Sequence, residues 1–303
     1  MGIGVVDIGG TNLKYGLWEK ESLLEIQTIP TPATLDDLFA VLKDIDLQLR
    51  KAASEEILGY GFSVPGMVDT RGGIIEGISA VPYIHDFPIR DQLEDLLKVR
   101  VTLENDANCA CIAELDRGHA KDVNNIAVIV VGTGIGGTVV INNEIVHGVN
   151  FAAGEFGLMM VNEENTFSEK GSTGRLVDYY RDLENAEPNA DGERIFELAG
   201  QGDENAQRSV DRFYKYMSQG VYNLIVMLNP ERILIGGAVS KNAIFIRGVQ
   251  EGVKGLLRKH GVPLLKSDIL ACKYYNHANL IGAASSFIRQ TRLIDLSQKG
   301  YII

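Results

Sequence analysis

Apolar and polar positions along the chain alternate between two periods, and the alternation predicts interleaved strands and helices. Ile3 to Ile8 reads as a strand, Gly9-Gly10 as a turn, and Leu13, Tyr15 and Leu17 as the inward positions of a second strand, so a β-hairpin opens the protein. Leu38, Val41, Leu42, Ile45 and Leu49 fall at helical spacing within 35–53, and the strand-like run Ile57 to Val64 follows and ends at Pro65-Gly66. A short helix near 89–97 and a strand at 101–103 lead to Asn105-Asp106, which opens a helix expected to stop at Gly118. The pattern then restarts. A buried strand, Ile126 to Val131, meets the turn Gly132 to Gly137 and a second strand, Thr138 to Ile141. Asp203 is a sensible N-cap for a long helix carrying Ala206, Val210, Phe213, Met217, Val221, Leu224 and Leu228 on one face and halting at Asn229-Pro230. Strand 232–235, Gly236-Gly237, helix 243–257, strand 269–272 and helix 280–289 complete the chain, with the tail from Thr291 unassigned. Two strand-turn-strand units half a chain apart suggest duplicated α/β domains, although the identity between them is confined to glycines.

Length and charge narrow the function. A chain of 303 residues exceeds what one core usually fills, so two domains are expected. Asp and Glu outnumber Lys and Arg by 40 to 29, a net charge of −11, and no basic cluster occurs, which argues against nucleic acid or an acidic membrane surface as partner. The apolar run at 126–131 is far short of the roughly 20 residues that span a bilayer. Three cysteines, Cys109, Cys111 and Cys272, are too few for a disulfide framework, and with no leader sequence the expected location is the cytoplasm. Cys109 and Cys111, two apart on a helix, fall on different faces and read as packing residues.

Five segments can carry chemistry. In Asp7-Ile8-Gly9-Gly10-Thr11 an acid at a strand end precedes bare backbone that can approach an anion, or it is a tight hairpin whose Asp7 bonds its own turn. Gly132, Gly134 and Gly137 match a dinucleotide-binding spacing, but a strand follows where that motif needs a helix, so a phosphate-holding hairpin remains. No Gly-Lys-Ser/Thr occurs, so any phosphate is gripped mainly by amides. In Glu104-Asn105-Asp106-Ala107-Asn108 a carboxylate stands where a strand ends and a helix begins; it is a candidate general base, or Asp106 or Asn105 caps the helix. Ala153-Gly154-Glu155-Phe156-Gly157 sets one acid among apolar neighbours; such a carboxylate, if buried, needs sugar hydroxyls or an arginine as partner. Ile235-Gly236-Gly237-Ala238 ends a strand with room for a nucleotide base or ribose, or for close helix packing.

Together, in this order, these segments and Val64-Pro65-Gly66 resemble the ROK family of sugar kinases and related repressors, across essentially the whole chain. The resemblance implies an α/β, two-domain actin-like ATPase (ribonuclease H-like) fold with an interdomain cleft: an N-terminal domain over 1–118, completed by a C-terminal helix at 279–303, and a larger domain over 119–278. It implies ATP-dependent phosphorylation of a sugar 6-hydroxyl, with Asp106 as catalytic base and Gly66, Asn105, Asp106 and Glu155 at the sugar. ATP would meet Asp7, Gly9, Gly10, Thr11, Gly132, Thr133, Gly134, Gly136, Gly236 and Gly237. Mg²⁺ would lie near Asp7, directly or through water, and the protein would act as a homodimer. Two departures matter. Leu158 stands where many members carry a histidine that ligates zinc and contacts the sugar, and 162–172 lacks the cysteines of the zinc loop, so no zinc is expected and the loop must be ordered by packing. Ala80 also replaces an asparagine common in the glucokinases. These changes resemble the β-glucoside kinase branch, which phosphorylates disaccharides such as cellobiose; N-acetylmannosamine kinase and glucokinase are the alternatives. A sugar-sensing regulator is the reading from another class, but the repressors carry a helix-turn-helix ahead of the core, whereas here Asp7 lies almost at the first residue.

Overall fold

The computed structural model describes residues 1–275 and 277–298. The chain divides into two compact units. The first gathers Met1–Asp116, Val149–Phe151 and the C-terminal segment; the second gathers Arg117–Gly148 and Ala152–Tyr275.

In the first unit, β1 (Gly2–Ile8), β2 (Asn12–Glu19), β3 (Ser22–Pro30), β4 (Ile57–Val64) and β7 (Arg100–Asn105) form one sheet in the order β3-β2-β1-β4-β7. β1 pairs antiparallel with β2 and parallel with β4, which is parallel to β7. All seven residues of β1 are buried, which is why it reads as a run and not as an alternation. α1 (Leu35–Ala52) starts where the Thr34 side chain accepts from the Asp37 amide, and it buries Leu38, Leu42, Ile45 and Leu49 along one face. β5 (Met67–Asp69) and β6 (Ile74–Glu76) make a separate two-stranded ribbon. α2 (Ile89–Leu97), α3 (Asp106–Arg117) and α9 (Ala278–Gln298) complete the unit. The residues from Thr291 to Gln298, unassigned from sequence, continue α9; the part of the expected helix at 299–303 lies outside the described residues. Cys109 and Cys111 are both buried, and desolvation raises both thiol pKa values, as suits packing side chains.

The second unit repeats the first sheet. β8 (Ile126–Val131), β9 (Ile135–Ile141), β10 (Glu144–Ile145), β11 (Arg232–Gly236) and β12 (Asp268–Ala271) lie in the order β10-β9-β8-β11-β12, again antiparallel on one side of the first strand and parallel on the other. Around it pack α4 (Phe167–Gly171), α5 (Thr173–Arg181), α6 (Gly192–Gly200), α7 (Glu204–Leu228) and α8 (Ala243–Lys259). α7 begins at Asp203, whose side chain accepts from the Ala206 amide, and ends at Asn229 in the left-handed region, with Pro230 barring further turns. Among the described residues no helix is long and apolar enough to cross a membrane.

Candidate active site

Three features of the first unit meet at the carboxyl ends of its strands. Asp7, one residue before the end of β1, is only 7% exposed. Its Oδ1 accepts from Ser63 Oγ on β4 at 2.7 Å and from Asn279 Nδ2 on α9 at 3.0 Å. The hairpin does not need the acid for its own closure: Gly9 N donates to Asn12 O at 3.0 Å and Thr31 Oγ1 donates to Gly9 O at 2.6 Å, leaving Gly10 and Thr11 exposed. Both donors to Asp7 are neutral groups held by separate elements, and they fix its orientation. One fixed carboxylate suits Mg²⁺, which usually keeps several waters and takes most of its protein and substrate ligands from one or two acids and from phosphates. Among the described residues no group of three or more His, Cys, Asp or Glu is arranged to hold a metal by itself.

At the β7–α3 junction the capping question resolves in favour of Asn105. Its Oδ1 accepts from Ala107 N at 2.9 Å and Asn108 N at 3.2 Å, and its Nδ2 donates to Gly66 O at 2.9 Å. Only one of its amide hydrogens is then left over from these bonds for a sugar hydroxyl, so its expected part in sugar binding narrows to a single donor. Asp106 opens α3, half-buried, with Oδ1 accepting from Ala107 N at 2.7 Å, so its carboxylate stands at a helix N-terminus in a fixed orientation. Beneath it lies Glu104, 3% exposed, whose Oε1 accepts from Asn105 N and Asn108 Nδ2.

In the second unit the β8–β9 turn leaves Gly132, Thr133 and Gly134 exposed. Gly132 N donates to Gly134 O at 2.9 Å, and Gly132 O accepts from both the amide and the hydroxyl of Thr173, at 3.0 and 2.6 Å, so the start of α5 locks the turn. β9 follows the turn directly, which removes the dinucleotide-binding alternative. Gly237 after β11 has φ +90°, and a Cβ there would lie 2.0 Å from Val131 O; only glycine fits this crossing. Beside it is a cavity of about 530 Å³ lined by Thr173, Phe196, Val239, Lys241 and Asn242 among others, a size that accepts a nucleoside.

The family model described as ROK family matches residues 3–290. The chain belongs to the ROK family. The relatives it resembles include a β-glucoside kinase of Klebsiella pneumoniae, 31% identical over 95% of this chain and 96% of that protein, and a β-glucoside kinase of Listeria monocytogenes serovar 1/2a, 30% identical over 96% and 98%. A ROK family protein from Streptococcus pneumoniae TIGR4, solved in complex with sucrose, superposes with a TM-score of 0.88 at 34% identity, covering 97% of this chain and all of that one. This ROK protein is an ATP-dependent sugar kinase with the actin-like ATPase fold.

In this ROK kinase the segment around Glu155 departs from expectation. Glu155 is exposed, not buried: the turn lies flat on β9, with a Cβ at Gly154 only 2.5 Å from Gly137 O and one at Gly157 2.1 Å from Ile135 O, so Phe156 and Gly157 go inward while Glu155 and Leu158 go out. Surrounding protein still raises the Glu155 carboxyl pKa by partial desolvation. Leu158 is 70% exposed and Met160 52%. The following segment is ordered as the sequence requires, by packing and local caps. Asn162 Oδ1 accepts from the Glu164 and Asn165 amides, Thr166 and Glu169 form a capping box, and Phe167 is fully buried against α7. Removing the Phe167 ring would cost about 3–5 kcal/mol, more than any single cap here contributes. Sequence reasoning missed Ser63, Thr173 and Asn279. Thr173 had a signal, as the residue after the cap Ser172; Asn279 had none, because its partner Asp7 lies 272 positions away.

Proposed function

We propose that this kinase transfers the γ-phosphoryl group of ATP to the 6-hydroxyl of the glucosyl unit of a β-glucoside such as cellobiose. The observation that carries the choice of sugar is Leu158: an exposed apolar side chain, three residues from Glu155 on a turn held flat against β9, offers a surface to a substituent on the anomeric carbon and no hydrogen bond to a free anomeric hydroxyl. The named β-glucoside kinases among the relatives support this reading; the sucrose complex of the S. pneumoniae protein supports only the part that admits a substituent on the anomeric oxygen, since the glucosyl unit of sucrose is α-linked.

Phosphoryl transfer needs positioning and charge compensation more than covalent chemistry. Asp106, oriented by the Ala107 amide, accepts the proton of the attacking hydroxyl, help worth about 10²–10⁴-fold. The remaining Asn105 amide hydrogen, the Gly66 turn and the Glu155 carboxylate orient the sugar. The amides of Gly10 and Thr11 and of Thr133 and Gly134 take the phosphates; Gly9 and Gly132, whose own amides are given to Asn12 O and Gly134 O, and Gly136, paired with Val130, shape the two turns, while the cavity beside Gly236 and Gly237 takes the nucleoside. Mg²⁺, when bound with ATP near Asp7, neutralises charge on the phosphates. Use of ATP supports a cytoplasmic location.

The test is ADP release from ATP and Mg²⁺ with cellobiose, glucose and N-acetylmannosamine in parallel. The highest kcat/KM is expected with cellobiose. A preference for either monosaccharide would refute the inference from Leu158 while leaving the kinase in place.

A further inference from the structure

The mechanism above makes no use of His85, yet it is one of the few buried polar side chains of the first unit, 8% exposed, and both ring nitrogens are engaged. Nδ1 lies 3.0 Å from Gly77 O, which can only accept, so Nδ1 donates there. Nε2 lies 2.7 Å from Ser79 Oγ. In the neutral ring with its proton on Nδ1, Nε2 is the acceptor, so Ser79 Oγ donates to it while accepting from Val81 N at 3.1 Å. Two hydrogen bonds thus tie the 77–81 loop to one imidazole, and a third, from Val81 N to Ser79 Oγ, closes the loop on itself.

The loop and the ring each press on a turn of the site. A Cβ on Gly10 would lie 2.5 Å from the Cβ of Ala80, so the loop packs directly on the exposed Gly9–Thr11 turn. A Cβ on Gly66, where φ is +103°, would lie 3.0 Å from His85 Cε1, so the ring packs on the Gly66 backbone. Gly66 O in turn accepts from Asn105, the cap of the helix that Asp106 opens. We infer that His85 is a positioning residue: through Ser79 and Gly77 it holds the 77–81 loop against the Gly10 turn, and through its ring it holds the Gly66 turn that anchors Asn105 and the start of α3. The brace itself rests on these contacts; its effect on catalysis rests on the kinase reading.

The two arms separate in a set of variants. Ser79→Ala removes the hydroxyl and keeps the ring on Gly66. His85→Asn keeps a donor for Gly77 but does not reach Ser79 and lacks the ring edge; His85→Ala removes everything. Backbone hydrogen exchange reads the brace without any substrate, and steady-state kinetics read its consequence. Ser79→Ala should speed exchange at 77–81 and at 9–12 and raise KM for ATP about 3- to 10-fold, the range one lost hydrogen bond supports, with KM for the sugar unchanged. Both His85 variants should also speed exchange at 66 and 105–108, raise KM for the sugar and lower kcat, with Asn milder than Ala. Unchanged exchange at 9–12 and 105–108 in Ser79→Ala and His85→Ala overturns the brace, whether or not the enzyme is active. Faster exchange with all kinetic constants at wild-type values overturns the positioning role. If the wild type forms no ADP with any sugar, the kinase reading fails, and the exchange data still decide the brace.

Discussion

At the carboxyl ends of its strands the first sheet carries Asp7 on β1, Glu104 on β7 and Asp106 one residue beyond, whereas the matching strands of the second sheet, β8, β11 and β12, end in Val131, Gly236 and Ala271. The two sheets have the same strand order and the same pattern of parallel and antiparallel pairs. One scaffold has therefore been given two chemistries. Acids in the first unit are held by neutral donors, Ser63 and Asn279 for Asp7, Asn108 for Glu104, and can serve a proton and a cation. The second offers exposed backbone and no strand-end acid, so a polyanion meets amides without repulsion from a nearby carboxylate.

This asymmetry predicts that first-unit acids act on turnover and second-unit contacts on ATP affinity. Asp106→Asn should lower kcat about 10²- to 10⁴-fold with little change in either KM, measured by sugar-dependent ADP release. Asp7→Asn should lower activity about 10- to 100-fold, the usual loss for a residue acting on a metal through water, and raise the Mg²⁺ concentration needed for half-maximal rate. Thr173→Val, on the other side of the comparison, should raise KM for ATP about 2- to 10-fold through one lost hydrogen bond to Gly132, and leave KM for the sugar alone. A large kcat loss in Thr173→Val, or a pure ATP affinity loss in Asp7→Asn, would break the division between the units.

The smallest effect concerns Glu155. Desolvation raises its folded pKa above the unfolded one, so the folded state holds the proton more tightly. Its contribution to stability is then greatest below the ordinary carboxylate pKa and declines as pH rises through the raised value. Glu155→Gln should flatten that slight decline, seen as a smaller drop in Tm across the window, while raising KM for the sugar.

Much of the fold was legible because burial imposes a period. α7 lies between the cap and the stop expected for it, α2 spans 89–97, strand 126–131 matches as a continuous apolar run, and strand 57–64 matches the strand-like segment before Pro65-Gly66. β3 went unread because Leu24 and Ile26 face solvent on an edge strand, where no face is cleanly apolar. α4, with five residues, was too short for a periodic signal, and α5 and α6, no longer than α2, went unread; all three start on caps, at Thr166, Ser172 and Asp191. In the site, the position of Asp106 at a strand-helix junction was legible; the assignment of the cap to Asn105 was not, since both side chains stand at the right place in the sequence and only their directions differ.

The sequence by itself determined the alternation of strands and helices and the glycine turns, because these follow from period and local backbone freedom over short spans, and its motifs carried the resemblance that pointed to the family and the class of reaction. Only the tertiary structure decided which acids are held and by what. Asp7 owes its orientation to Ser63 and Asn279, His85 spans two turns, Glu155 faces outward because β9 lies beneath its glycines, and Thr173 closes a turn 41 positions earlier. Each of these depends on contacts between segments far apart in the chain, and chain spacing carries no information about direction across such a distance.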